Sequence, residues 1–199
     1  MQTLAPSLAH LRESKFYLGS ASPRRAQLLE GLNIPFEIRV SSDPEIVPED
    51  IPYQEHATYL SRLKNDTIRS EISFNDILIT ADTVVIHDDR ILNKPETPTE
   101  ARAMLQLLSD SKHEVHTGLT VSRGELLVSQ SDVALVQFCT ITPIEIDYYV
   151  DSYQPLDKAG AYGIQEWIGM ACIEKIEGSF YTIMGLPTHL LYEILKSRF

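Results

Sequence analysis

The segment Ser20-Ala21-Ser22-Pro23-Arg24-Arg25 combines hydroxyl and guanidinium groups that could bind an anion. Ser22 suits a helix N-cap and Pro23 the first helical position. Arg24 and Arg25 would then lie in the first turn, where the helix dipole disfavours cations by some tenths of a kcal/mol. A bound phosphate would explain the pair, because guanidinium groups and backbone N–H groups could converge on it. The alternative is two solvated arginines.

A carboxylate within an apolar segment is the second chemical feature. Asp82 lies in the β-branched segment 77–86, where the other interruptions are Thr80 and Thr83. A buried carboxylate is costly without a partner, which implies a metal ion, a lysine or a reacting water. The alternative is an edge strand from which Asp82 faces solvent. Glu45, in the loop after the second predicted strand, could be a second oxygen ligand, although acidic loop residues are usually solvated.

Three lysines could neutralise a bound anion. Lys94 precedes Pro95, and Lys158 begins a stretch of small residues, 158–163, that contains two glycines. Glycine permits close approach of the backbone to a ligand, but a tight turn would explain the same composition. Lys64 lies on a long predicted helix, where a solvated lysine is the ordinary case.

Several well-known catalytic signatures are missing from the sequence. It has no Gly-x-x-x-x-Gly-Lys-Ser/Thr loop, no Gly-x-Gly-x-x-Gly and no nucleophile elbow, which disfavours P-loop ATPases, Rossmann enzymes and serine hydrolases. His113 and His116 have a spacing found in zinc sites. Their strand-like setting and the lack of a nearby third ligand nevertheless argue against zinc.

Strands and helices must hold these groups in place. Apolar and β-branched segments predict strands at 15–19, 36–40, 77–86, 115–121, 125–140 and 168–176, with a hairpin turn at 87–90. Helical periodicity and capping residues predict helices at 23–32, 53–72 (with Leu60, Leu63 and Ile68 on the apolar side), 97–109, 142–150 and from 186 onward. Strands and helices mix without strict alternation, which predicts an α/β fold with a mixed sheet.

Length and composition indicate a cytoplasmic globular protein. The 199 residues suit one large domain or two merged lobes, and no apolar run approaches the roughly 20 residues that span a bilayer. Residues 1–13 lack a signal-peptide pattern, and the two cysteines do not form a Cys-x-x-Cys pair. The net charge of −11 argues against nucleic-acid and anionic-membrane partners. A phosphate site on such an acidic chain therefore requires a local cluster of arginines and lysines.

Six segments, taken together and in order, resemble the Maf family of nucleotide pyrophosphatases. They are Ser20-Ala21-Ser22-Pro23-Arg24-Arg25, Ala81-Asp82-Thr83-Val84-Val85, Lys94-Pro95, His113-Glu114-Val115-x-Thr117-Gly118, Asp157-Lys158-Ala159-Gly160-Ala161-Tyr162-Gly163-Ile164-Gln165 and Gly185-Leu186-Pro187. The resemblance implies an inosine triphosphatase-like fold, with a long twisted mixed β-sheet flanked by helices and two lobes around a central cleft. We expect one domain over 1–199, with residues 1–14 as an N-terminal extension.

The resemblance also implies an activity: hydrolysis of a nucleoside triphosphate to the monophosphate and pyrophosphate by a homodimer that uses Mg²⁺, Mn²⁺ or Co²⁺. By position, Asp82 matches the proton acceptor and, with Glu45, would manage the metal and the attacking water. The residues that would hold or neutralise the phosphates are Ser20, Arg24, Arg25, Lys64, Lys94 and Lys158.

Three positions indicate the substrate. Arg24, Thr83 and Gln165 match the branch of the family that resembles dTTP/UTP pyrophosphatases, whereas the branch acting on 7-methyl-GTP has a bulky aromatic residue, Gln and Glu there. A glutamine amide both donates and accepts, which suits the imide edge of thymine or uracil.

The chain departs from the family pattern at Thr80, Asn93 and Glu166-Trp167, where glycine or small or basic residues are frequent. Trp167 could stack on a base or only rim the cleft. Two other functions fit the resemblance: a non-catalytic nucleotide-binding regulator of cell division, and a house-cleaning pyrophosphatase for other modified nucleoside triphosphates.

Overall fold

A computed structural model describes residues 4–42 and 44–199 and contains a mixed β-sheet of seven strands. The strands are β1 (Phe16–Leu18), β2 (Glu37–Ile38), β3 (Ile77–His87), β4 (Arg90–Leu92), β5 (Lys112–Arg123), β6 (Leu126–Phe138) and β7 (Ile173–Glu177). Their order in the sheet is β2-β1-β3-β5-β6-β7, and β4 pairs with β3. The pairs β1–β2 and β1–β3 are parallel, whereas β3–β4 and β6–β7 are antiparallel.

Helices flank this sheet, which confirms the predicted α/β class. They are α1 (Pro23–Gly31), α2 (Tyr53–Arg69), α3 (Pro98–Leu108), α4 (Pro143–Tyr153), α5 (Trp167–Cys172), α6 (Phe180–Met184) and α7 (Thr188–Arg198). Short 3-10 helices are formed by Pro6–Leu11, Pro155–Asp157 and Ala159–Ala161. Across the described ranges, no helix combines the length and the apolar character needed to cross a membrane.

Local sequence signals place the main elements. Thr97 and Thr142 cap α3 and α4 by accepting hydrogen bonds from the N–H groups of Glu100 and Glu145, and Thr142 and Glu145 form a reciprocal capping box. Asp88 and Asp89 form the β3–β4 turn with φ values of 48° and 55°, as a two-residue hairpin requires. These elements match the predicted ones.

The chain divides into two compact units. Unit 1 comprises residues up to 82, 117–132 and 185–199, and unit 2 comprises 83–116 and 133–184. In unit 1, Leu18, Ile34 and Leu78 are among the fully buried side chains. Leu8 and Leu11, from the predicted N-terminal extension, are also fully buried, so this segment contributes to the core of its unit.

The buried side of α2 differs from the predicted one. Leu60 and Leu63 are only half-buried, whereas Ala57, Ser61, Asn65 and Ile68 face the protein interior. Its polar members have buried partners: Ser61 Oγ lies 2.8 Å from Thr120 Oγ1, and Asn65 Nδ2 donates to Thr80 Oγ1 at 3.3 Å. The Asn65 amide oxygen, Oδ1, has no hydrogen-bond partner among the described residues. Ile68 is buried as predicted, but hydropathy alone missed the polar residues of this face because their burial depends on partners from β3 and β5.

The strand predicted at 168–176 is wrong in its first half. Residues 167–172 form α5, in which Ile168 and Cys172 are buried four residues apart, and β7 begins only at Ile173. Met170 N–H donates to Glu166 O at 3.2 Å, which is a helical hydrogen bond. A short apolar segment of this kind does not distinguish helix from strand by periodicity.

Gly118→Ala should destabilise the protein strongly, because α2 packs directly against this glycine of β5. A Cβ at position 118 would lie 2.1 Å from Ala57 O and 2.3 Å from its carbonyl carbon. Backbone must move to make room, so we expect the free energy of unfolding in a denaturant titration to fall by about 3 kcal/mol. Gly31→Ala is the matched control: no heavy atom lies within 4 Å of a Cβ there, and stability should change by no more than about 1 kcal/mol. Equal stability of the two variants would contradict this packing.

Candidate active site

The loop after β1 forms the first part of the site, in unit 1. Gly19 N–H donates to Ile79 O at 2.8 Å and thereby continues the β1–β3 pairing up to Ser20, which is buried. Ser22 is the N-cap residue of α1, but its side chain makes no capping bond; its N–H donates to Ser20 Oγ at 3.3 Å. The predicted helix start is therefore correct, and Ser20 supplies the hydroxyl that organises the loop.

Arg25 is fixed by two hydrogen bonds rather than solvated. Its Nε donates to Gly185 O at 2.8 Å and its Nη1 to Ser20 Oγ at 2.9 Å. Burial lowers the pKa of the Arg25 guanidinium, while Asp82 raises it, Arg24 lowers it and Glu45 raises it. An arginine remains charged after such a shift. The structure thus holds the positive charge of Arg25 near enough to Asp82, Glu45 and Arg24 for their charges to act on it.

Lys64 joins the two predicted metal ligands. Its Nζ lies 3.0 Å from Glu45 Oε2 and makes a short contact with Asp82 Oδ1. The side chains of Lys64 and Asp82 are each 16% exposed, whereas that of Glu45 is 49% exposed. Lys64 is thus one partner of Asp82. The two carboxylates converge on a single cation.

A buried polar network sets the position of α2 around Lys64. Thr80 Oγ1 donates to Ser61 O at 2.7 Å and accepts from Asn65 Nδ2 at 3.3 Å. Ser61 and Asn65 precede and follow Lys64 on α2, while Thr80 lies two residues before Asp82 on β3. The network therefore fixes both ends of the Lys64–Asp82 ion pair. Gly19 is needed beside it, since a Cβ there would lie 2.4 Å from Thr80 Cγ2.

In unit 2, the structure brings together the segments that contain the predicted site residues Thr83, Lys94 and Lys158. Gly160 N–H donates to Asn93 O at 3.3 Å, next to the exposed Lys94. Gly160 has φ +69°, and a Cβ there would lie 3.1 Å from a methyl group of Val85, two residues after Thr83. The glycine is thus required both by its backbone angle and by close packing.

Lys158 is almost completely buried and paired with two carboxylates. Its side chain is 8% exposed, and its Nζ lies 2.6 Å from Asp157 Oδ1 and 3.2 Å from Glu166 Oε1. The neighbouring Gln165 has a buried amide oxygen, Oε1, without a hydrogen-bond partner among the described residues. An unsatisfied buried acceptor costs about 1–3 kcal/mol unless a ligand supplies a donor.

Most of the chain is similar to known proteins. Residues 15–198 match the family described as Maf-like protein. The chain belongs to this family. A dTTP/UTP pyrophosphatase from Porphyromonas gingivalis strain W83 is 47% identical over 192 residues, which cover 95% of this chain and 96% of the relative. Proteins of the same name from Parabacteroides distasonis (45% identical; 95% and 98% covered) and Flavobacterium johnsoniae (40% identical; 94% and 96% covered) are also similar.

The two histidines with a zinc-site spacing, His113 and His116, have separate partners in this Maf-like chain. His113 Nε2 lies 2.7 Å from Tyr162 Oη, and its ring stacks on Phe138 with centroids 5.6 Å apart. Burial, and to a lesser extent His87, lowers the pKa of His113 to about 3, so the imidazole is neutral at physiological pH. His116 Nε2 instead lies 2.6 Å from Glu114 Oε2. Both rings serve packing and local hydrogen bonding.

Two residues of the site were not identified from the sequence. Tyr149 on α4 is fully buried, donates to Glu166 Oε2 in a short hydrogen bond and accepts from Gly163 N–H at 3.0 Å. Glu166 was noted only as a departure from the family pattern. The sequence signal for Glu166 was an acidic residue eight positions after Lys158. The two side chains can pair only because the chain turns between them.

Proposed function

We propose that this protein is a nucleoside triphosphate pyrophosphatase that hydrolyses dTTP and UTP to the monophosphate and pyrophosphate. The observation that carries the proposal is that one unit holds both a fixed guanidinium, Arg25, and the Glu45–Lys64–Asp82 group, whose carboxylates act electrostatically on Arg25. Full-length similarity to proteins named dTTP/UTP pyrophosphatase supports the same function.

Ser20, Arg24 and Arg25 bind the phosphates. The Arg25 guanidinium is already oriented by Gly185 O and Ser20 Oγ, so it needs little reorganisation when charge develops on the leaving pyrophosphate. On a chain with a net charge of −11, this local positive charge is what attracts a polyphosphate.

Asp82 accepts the proton of the water that attacks at the α–β phosphate junction. Its carboxylate is mostly buried, and the ion pair with Lys64 holds it in one orientation. Lys64 also places a positive charge beside the reacting group. Positioned general bases of this kind contribute about 10²–10⁴ to the rate.

Glu45 and Asp82 fit a divalent cation. Both are carboxylates that converge on one ammonium group, so they lie close enough to share a cation, and hard oxygen donors suit Mg²⁺ or Mn²⁺, with Co²⁺ a further candidate. When bound, such an ion would supply positive charge to the phosphate oxygens and lower the pKa of a water molecule.

Gln165 reads the base, and Thr83, Lys94 and Lys158 contribute to substrate binding. The buried Gln165 Oε1 needs a donor, and the imide N–H of thymine or uracil is a donor that an adenine lacks at the corresponding position. This chemistry favours thymine and uracil over adenine and cytosine.

The decisive experiment measures pyrophosphate release from a panel of nucleoside triphosphates with Mg²⁺, Mn²⁺ or Co²⁺. We expect the highest kcat/KM for dTTP and UTP. Preference for a modified triphosphate would instead support a house-cleaning role. Nucleotide binding without pyrophosphate release with any metal would support the regulator of cell division and reject the enzyme.

We further propose that the protein acts as a homodimer in the cytoplasm. Light scattering after size-exclusion chromatography should give twice the chain mass of 22.5 kDa. A single-chain mass at micromolar concentration would contradict the dimer.

A further inference from the structure

The carboxylate of Glu166 contacts two parts of unit 2 that are separate in sequence, namely α4 and the segment around Lys158. Glu166 Oε2 accepts a short hydrogen bond from Tyr149 Oη on α4, and Glu166 Oε1 lies 3.2 Å from Lys158 Nζ. Its side chain is only 17% exposed, so it is not one of the solvated acidic residues that dominate this chain. Both oxygens have a specific partner.

The same glutamate closes the turn that carries Gln165. Glu166 N–H donates to Gly163 O at 3.0 Å, and Gly163 N–H donates to Tyr149 Oη at 3.0 Å. Since Tyr149 Oη donates in turn to Glu166, three hydrogen bonds form a closed ring around residues 163–166. The ring ties both ends of the turn to one phenol.

Side-chain packing tightens this arrangement. A Cβ on Gly163 would lie 2.7 Å from Glu166 Cδ and 3.0 Å from Gln165 Nε2. The glutamate and the glutamine therefore both fold over the Gly163 backbone, which has no space for a larger residue. The Gln165 amide and the Glu166 carboxyl group therefore lie beside the same glycine.

Tyr149 can keep this role over a wide pH range. Burial, reinforced by the hydrogen bond to Glu166, raises the pKa of the Tyr149 phenol above its ordinary value. The phenol is therefore protonated whenever the protein is folded near neutral pH. It can donate to Glu166 and accept from Gly163 at the same time.

We propose that Glu166 is a positioning residue for base recognition: held by Lys158 and Tyr149, it fixes the turn that presents the Gln165 amide. This inference rests on the proposed function, because it assigns Glu166 a part in discriminating dTTP from dATP. Glu166 does not contact the nucleotide; it acts through Gln165. The residue that departs from the usual family pattern thus becomes part of the specificity of this chain.

The test compares kcat/KM for dTTP with kcat/KM for dATP in the wild type and four variants. Glu166→Ala and Tyr149→Phe each break the ring, and we expect the dTTP/dATP ratio to fall about tenfold. Glu166→Gln keeps an acceptor of the same length for Tyr149 and should restore most of the ratio. Asp157→Asn is the matched control, since Asp157 pairs with Lys158 at 2.6 Å but belongs to no part of the ring; its ratio should equal that of the wild type.

A purely structural role would give a different result. Activity on both nucleotides would then fall by the same factor, the ratio would stay constant, and the inference would be overturned. The dissociation constants of dTTP and dATP, measured by calorimetry with a chelator present, give the same ratio without turnover. A wild type that releases no pyrophosphate rejects the proposed function, whereas an active wild type with a constant ratio in the Glu166→Ala and Tyr149→Phe variants rejects only the role of Glu166. Melting temperatures identify any variant that does not fold.

Discussion

Asp82→Asn should lower kcat for pyrophosphate release from dTTP by about a thousandfold, because the amide cannot accept the proton of the attacking water. Asparagine keeps the shape of the side chain, and Lys64 retains Glu45 as its partner at 3.0 Å. Folding and nucleotide binding should therefore persist. Steady-state kinetics gives the loss of turnover, and calorimetry with dTTP gives the dissociation constant of the same variant.

The control for Asp82 is Asp88→Asn, a neutralisation of the same residue type in the turn that ends β3. The Asp88 side chain is 85% exposed, so its loss should leave kcat within about twofold of the wild type. Near-normal turnover of Asp82→Asn would refute its assignment as the base. Loss of dTTP binding would instead indicate that Asp82 acts mainly through the nucleotide or its metal.

Arg25→Lys should lower kcat/KM for dTTP by about a hundredfold, although the positive charge is conserved. One ammonium group on a flexible stem cannot reproduce the fork that bonds Gly185 O at 2.8 Å and Ser20 Oγ at 2.9 Å. Removal of one preorganised donor at a site of developing negative charge costs about 10²–10³ in rate. Steady-state kinetics over a range of dTTP concentrations measures the change.

Arg69→Lys separates this catalytic effect from loss of structure. Arg69 also uses its guanidinium to bond backbone carbonyls in unit 1, at 2.9 Å from Asp76 O and 2.9 Å from Ser73 O, but it is not among the proposed substrate-binding residues. We expect Arg69→Lys to lower the melting temperature and to keep kcat/KM. If Arg25→Lys behaved in the same way, Arg25 would be a structural arginine only.

The parts of the fold that could be predicted are those fixed by neighbouring residues. Capping by Thr97 and Thr142, the proline at the start of α1 and the Asp88-Asp89 turn each depend on contacts within a few residues, and all are present. The segment 167–172 could not be predicted because its apolar residues suit either structure. Its helix depends on the preceding turn and on Gly169, where a Cβ would lie 1.9 Å from Ile164 O.

The candidate site was also predictable only in part from the sequence. Family motifs in the sequence were sufficient to predict Ser20, Arg25 and Asp82 as site residues. They left open whether Asp82 would be paired with a lysine, a metal or water. The lysine partner comes from α2, whose Lys64 approaches β3 because Thr80, Ser61 and Asn65 hydrogen-bond beside it.

The pair Arg24 and Arg25 shows what the sequence determines and what requires the tertiary structure. The sequence by itself determined that two arginines follow a serine, a cap and a proline at a helix start, since these signals are local. Only the tertiary structure decided that Arg25 is fixed, because its partners are Ser20 and the carbonyl of Gly185, which is 160 residues away in the chain. Contacts at that separation leave no local pattern, and the physical reason is that folding, rather than chain neighbourhood, brings the two groups together.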